Sequence, residues 1–148
     1  MTDAVVHDID EGLDLHAPRV RASFRLTSER HLLDGLRDEL AIDGALSWQK
    51  GDPDDSRGQQ RRMHGWSLTL PDAPSYSADT ALSELLLALA PKREEIVQAI
   101  RSMELDARVC IEVSMKAGHP PVLHCTPATI GAIASYGAAV SVQFDEHP

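Results

Sequence analysis

Residues 19–40 read RVRASFRLTSERHLLDGLRDEL, and two periods meet inside them. Val20, Ala22, Phe24 and Leu26 alternate with Arg21, Ser23 and Arg25, which is the pattern of a strand with one buried and one polar face. Past Leu26 the spacing changes. Thr27 or Ser28 can cap a free first-turn amide, and Leu32, Leu33, Leu36 and Leu40 then form a helical stripe. Gly35 weakens that helix slightly, and Asp43-Gly44 ends it in a turn. A half-buried strand feeding an amphipathic helix predicts a sheet with helices packed on one face.

The rest of the chain repeats both patterns. ALSWQK (45–50) reads as a short strand broken by Gly51-Asp52-Pro53, and HGWSLTL (64–70) as a strand carrying Trp66, Leu68 and Leu70 on one face. DPDDSRGQQRR (52–62) has no apolar residue and reads as a solvated connection. PDAPSYS (71–77) is a loop from which Ser77 or Asp79 caps a helix with the stripe Leu82, Leu85, Leu86 and Leu89. Pro91 suits the first turn of a second helix running to Met103. ARVCIEVSM (107–115) alternates, with Val109, Ile111, Val113 and Met115 inward. VLHC (122–125) is a candidate short strand. Thr126-Pro127 opens a last helix, Gly137 closes it as a left-handed terminator, and AAVSVQF (138–144) is a final strand with Val140, Val142 and Phe144 inward. The first six elements follow a split β-α-β order. The fold class expected is α+β: a two-layer sandwich of ferredoxin-like type, its antiparallel or mixed sheet covered by helices on one face and extended by a C-terminal helix and strand.

Length and charge bound the function. A chain of 148 residues makes one core without staples. The reading is a flexible acidic arm over residues 1–18 and a single α+β domain over 19–148. Five acidic residues precede the first basic one, Arg19, and the formal net charge is −9. That balance argues against nucleic acid, whose binding needs a basic footprint, and is compatible with a basic protein partner. No run is long or apolar enough for a membrane span, no secretory signal pattern opens the chain, and two cysteines are too few for a disulfide framework. These features predict a cytoplasmic protein. Its oligomeric state is open.

Chemistry-bearing motifs are sparse. Asp52, Asp54 and Asp55 lack the ligand order of a calcium loop. His119, His124 and Cys125 are zinc donor types, but adjacent residues on a strand point to opposite faces and no ligand-pair signature is present. There is no nucleophile elbow, phosphate loop or dinucleotide motif. No catalytic residue, metal or cofactor is therefore assigned. The stretch SWQKGDPDD (47–55) stands out instead. With Arg57, Arg61 and Arg62 it makes a basic island in an acidic chain, able to clamp a carboxylate or phosphate through arginine forks, or simply a turn whose aspartates pair with those bases. Trp66 starts an inward register and reads as core, whereas Trp48 is open between core and contact.

The order W-x-K-G-D, an arginine shortly before G-W, a Leu-rich helix pair, then strand, helix and strand resembles a family of small, mostly bacterial domains of unknown function. Trp48, Lys50, Gly51, Asp52, Arg62, Gly65 and Trp66 carry the resemblance. It extends over residues 20–144, and departs from the family pattern at Phe144-Asp145-Glu146, where members tend to end in Asp and an aromatic. The resemblance implies no reaction, but it directs attention to the K-G-D loop. Trp48, Lys50, Asp52, Arg57, Arg62 and Trp66 are the residues expected to bind a ligand or partner. Two functions compete. One is a small cytoplasmic protein-binding module, of the kind of an immunity protein neutralising a basic toxin or partner. The alternative is a small-molecule anion-binding protein or enzyme using the Lys50/Arg62 loop.

Overall fold

A computed structural model describes residues 17–54 and 58–148. The acidic arm expected over 1–18 lies, up to residue 16, outside the described residues, and so does Arg57. The elements are β1 (Arg19–Ser28), α1 (Asp34–Leu40), β2 (Leu46–Trp48), β3 (Pro53–Asp54), β4 (Gln59–Gln60), β5 (His64–Thr69), β6 (Ala73–Pro74), α2 (Ala78–Leu89), a 3-10 turn (Ala90–Lys92), α3 (Arg93–Met103), β7 (Asp106–Lys116), α4 (Pro127–Ser135) and β8 (Ala139–His147).

The main sheet runs β2-β5-β1-β7-β8. Every pair from β2 to β7 is antiparallel. The β1-α1-β2 and β5-α2-α3-β7 connections each skip one strand, which gives the ferredoxin-like split β-α-β order. Helix α4 then carries the chain to β8, which pairs parallel to β7. The fold is therefore a mixed α+β sandwich. Small pairings decorate it: β6 sits beside the start of β1, and β3 with β4 makes a separate two-stranded hairpin within the connection expected to be simply solvated.

Alternation assigns the two faces. Val20, Ala22, Phe24 and Leu26 are buried under the helices, as are Trp66 and Leu68 on β5 and Val109, Ile111 and Val113 on β7. Leu33, Leu36, Leu82, Leu85, Leu89 and Ile96 close over them. The other face of the sheet carries Arg21, Ser23, Arg25, Ser67, Arg108, Cys110 and Glu112.

Two expectations need correcting. The first helix does not begin near Thr27. β1 continues through Ser28, because Thr27 pairs with both Gly65 and Asp106, and Ser28 with His64. Sheet pairing takes the backbone groups a cap would need to release. Ser28 still turns the chain, its Oγ accepting from the N–H groups of Arg30 (3.1 Å) and His31 (3.0 Å). Helix α1 therefore starts at Asp34, and Leu32 is left exposed while Leu33 is buried. The second correction concerns β8. Val140, Val142 and Phe144 do share the helix-side face with Val109, Ile111 and Val113, but they are 51%, 39% and 51% exposed. The helix layer stops short of this edge.

The C-terminal extension is anchored by Asp79, in the first turn of α2. Its Oδ1 accepts the Thr126 N–H at 3.0 Å, while the Thr126 hydroxyl caps α4 by accepting from Thr129 N–H at 3.2 Å. The bond from the Thr126 amide, seconded by the Thr129 hydroxyl, holds the Asp79 carboxyl below its ordinary value of 3.8. A depressed folded-state value gives stability that is present above the unfolded value and lost as pH falls through the folded one. Asp79→Ala is expected to lower the urea midpoint at neutral pH, with the gap from wild type closing in acid below the ordinary carboxylate value. A gap that stays constant across that titration would assign the loss to packing instead.

Candidate functional site

The K-G-D run is a tight turn with an internal purpose. Asp52 Oδ2 accepts the Gln49 N–H (2.8 Å), and the Asp52 N–H returns to the Gln49 carbonyl (3.0 Å). Gly51 takes φ +96°, a conformation glycine reaches without steric cost. The Gly51 N–H donates to the Arg61 carbonyl (2.9 Å) and the Arg61 N–H to the Asp52 carbonyl (2.8 Å). These bonds zip the base of the β3–β4 hairpin. The Lys50 N–H donates to His64 Nδ1 (3.0 Å), which places the imidazole proton on Nε2 when the ring is neutral. Asp34 of α1 ties the same corner down from the helix side, its carboxyl lowered chiefly by the Ser47 hydroxyl and then by the Gln49 amide.

This scaffold sets the side chain of Trp48. β2 pairs with β5 so that Trp48 lies opposite Gly65, on the helix-free face. The indole rests against the Gly65 backbone so closely that a Cβ there would stand 2.1 Å from Cζ2. Two guanidiniums approach the ring, Arg61 at 4.2 Å and Arg25 at 5.9 Å from its centroid. Both are within cation–π range. Arg61 Nη1 also lies 3.5 Å from Asp54 Oδ2. Arg25 has no ion pair among the described residues, and the Nε atoms of Arg25 and Arg61 are both buried without an acceptor. Arg25 moreover faces Arg108 directly across β1 and β7. Like charges in that position repel.

The expected site residues divide. Trp48 is at the centre of the cluster. Asp52 shapes its turn, and Lys50 contributes its backbone while its side chain stays exposed. Arg62 is exposed, and its neighbour Arg61 occupies the stacking position over the indole. Trp66 is fully buried beneath the helices, edge-to-face with Phe24 at 6.4 Å, on the opposite side of the sheet from Trp48. Arg25 and Arg108 join the cluster from strands distant in sequence. Their signal was the polar register of β1 and β7, but only strand order shows which polar residues meet.

A concave region lies at the other end of the same face. It is a cleft of about 310 Å³ whose charged lining includes Arg19, Arg21, Asp72 and Glu112. Its arginines are already matched: Arg19 Nε donates to Asp72 Oδ2 at 3.0 Å, and Arg21 pairs with Glu112. The contrast with Arg25 singles out the Trp48 cluster. Among the described residues no three His, Cys, Asp or Glu side chains gather as a metal site, and no helix is long and apolar enough to cross a membrane.

Compared with known proteins, the chain matches no curated protein and no solved structure. Residues 18–146, which run from the residue before β1 to the penultimate residue of β8, match the family model DUF4279, described as a domain of unknown function. This arginine-flanked indole thus sits in a chain that belongs to the DUF4279 family.

Proposed function

We propose that the helix-free sheet face receives an anionic group, a carboxylate or phosphate, between Arg25 and Arg61 beside Trp48. The observation that carries this reading is the crowding of cations whose buried Nε atoms have no acceptor, with Arg25 in no ion pair among the described residues. Arg25 and Arg61 converge on one indole, and Arg25 faces Arg108, in a chain whose net charge is −9. An anion would relieve that repulsion, and guanidinium forks match planar carboxylate and phosphate oxygens. Binding, rather than catalysis, is the reading adopted: the carboxylate at the cluster, Asp54, is already engaged by Arg61. The free thiols of Cys110 and Cys125 support a reducing, cytoplasmic setting.

The alternative of a protein-binding module of immunity type, drawn to a basic partner, has the net charge as its support. Such a partner would have to use a surface other than the arginine cluster.

Titration with inorganic phosphate and with citrate, followed by indole emission, tests the proposal. Wild type should show a saturable change that weakens with salt. Arg25→Gln should weaken binding by about tenfold or more, in line with the ~1.5–3 kcal/mol typical of a charge-assisted hydrogen bond. Arg62→Gln should bind as wild type does. Equal binding by wild type and Arg25→Gln, or no response to either anion, would rule the site out.

A further inference from the structure

We infer that two copies of this chain pair edge to edge through β8, continuing the sheet across a two-fold axis at Val142. Native sheets protect their edges with short strands, lysine, proline, bulges, inward charges or a covering element. At one end of this sheet, β2 is only three residues long. At the other, β8 runs nine residues in unbroken register with β7, with no bulge, and no described strand lies beyond it. From Ala139 to Phe144 it contains no lysine, proline or charge. Its helix-side residues Val140, Val142 and Phe144 are between 39% and 51% exposed.

The pattern of β8 selects its occupant. In antiparallel pairing, directly opposed residues share a face. A two-fold at Val142 sets Val140 against Phe144 of the second copy, Val142 against Val142, and Ser141 against Gln143. The apolar stripe is thereby matched along its whole length, and the polar face is matched to polar. Charge gives the same register. The acidic end, Asp145-Glu146, falls opposite Ala139 and Ala138 of the other copy, whereas parallel pairing would set the two acidic ends side by side. Arg108 lies one strand inward from Ala139 on the same face as Asp145. At a strand spacing of about 4.8 Å, Arg108 and the second copy's Asp145 are roughly 10 Å apart along the backbone, with only a methyl group between them. Arg108 has no ion pair among the described residues. The dimer would supply its counter-charge and leave Arg25 and Arg61 to the anion. The inference does not depend on the anion being bound.

Sedimentation equilibrium of the full chain over a concentration series tests it. Wild type should approach the mass of two 16.1 kDa chains. Val142→Lys, which sets two cations together at the axis on an exposed site, should sediment as one chain with unchanged far-ultraviolet circular dichroism. Val142→Cys should form a 142–142 disulfide on oxidation, located by mass spectrometry, because opposed residues fall within disulfide reach. Val140→Cys should cross-link only when mixed with Phe144→Cys. A wild type monomeric at every concentration overturns the inference, as does a dimer that survives Val142→Lys or lacks the 142–142 link. A monomer whose β8 edge is held by a different polypeptide overturns it as well.

Discussion

Phe24→Ala should lower the unfolding free energy by about 3–5 kcal/mol, the usual range for deleting a buried ring. The chain has only two each of Phe, Trp and Tyr. Three of these rings meet at Phe24, which stands edge-to-face with Trp66 at 6.4 Å and tilted against Tyr136 at 5.3 Å. Phe24 is fully buried on the central strand, Trp66 comes from β5, and Tyr136 follows α4. Deleting the ring thus leaves a void where the first strand, its neighbour and the C-terminal extension converge. The aromatic pairs add about 0.5–1.5 kcal/mol each beyond area burial, which places the expected loss toward the upper end of the range. Against a typical stability of about 5–15 kcal/mol, that is a large share. Phe24→Leu, which keeps most of the volume, should lose clearly less. Urea denaturation of the three proteins checks this ordering. A loss below about 1 kcal/mol for Phe24→Ala would mean that the surrounding helices close the void, which close packing makes costly.

That core was legible in the sequence because its signals are local. Period-two alternation identified the inward residues of β1, β5 and β7, and Leu82, Leu85 and Leu89 identified the buried face of α2. Thr126, Pro127 and Gly137 marked both ends of α4 through capping chemistry alone: Thr126 caps, Pro127 sits in the first turn, and Gly137 takes φ +68°. What local signals cannot carry is which strands are neighbours. Thr27 and Ser28 look like helix starters until β5 and β7 claim their backbone. Val140, Val142 and Phe144 have the alternation of a buried face, but nothing in that alternation says whether a helix lies above them. Arg61 and Arg62 are indistinguishable until the pairing of β3 with β4, and the Arg61 backbone bonds to Gly51 and Asp52, fix which one turns back onto Trp48. The candidate site was therefore half legible. The loop and its tryptophan were visible in a contiguous stretch, whereas Arg25 arrives through sheet order.

Gly65 connects the sheet to that site, and Gly65→Val should expose the connection through a change of sign. In an ordinary strand, valine is preferred over glycine by both backbone entropy and packing on the pleated surface. Here a Cβ would lie 2.1 Å from Trp48 Cζ2 and 2.2 Å from Cε2, distances no side chain tolerates. The indole must leave its seat, taking with it the Arg61 stack at 4.2 Å and the packing of β2 against β5. Overpacking of this kind typically destabilises by about 1–3 kcal/mol. In a Trp48→Ala background the clash is gone, so the same substitution should become neutral or stabilising. The double-mutant cycle then gives a coupling of about 1–3 kcal/mol, in the range expected for residues in direct contact. Simple additivity, with Gly65→Val equally harmful whether or not the indole is present, would show that the glycine serves the strand backbone and not the ring. Indole emission supplies the second reading. The single variant should shift Trp48 toward the solvent-exposed spectrum and abolish the phosphate and citrate response, since Arg25 and Arg61 lose the surface that holds them together. Retention of that response with the ring displaced would separate the anion site from Trp48 and assign it to the arginines alone.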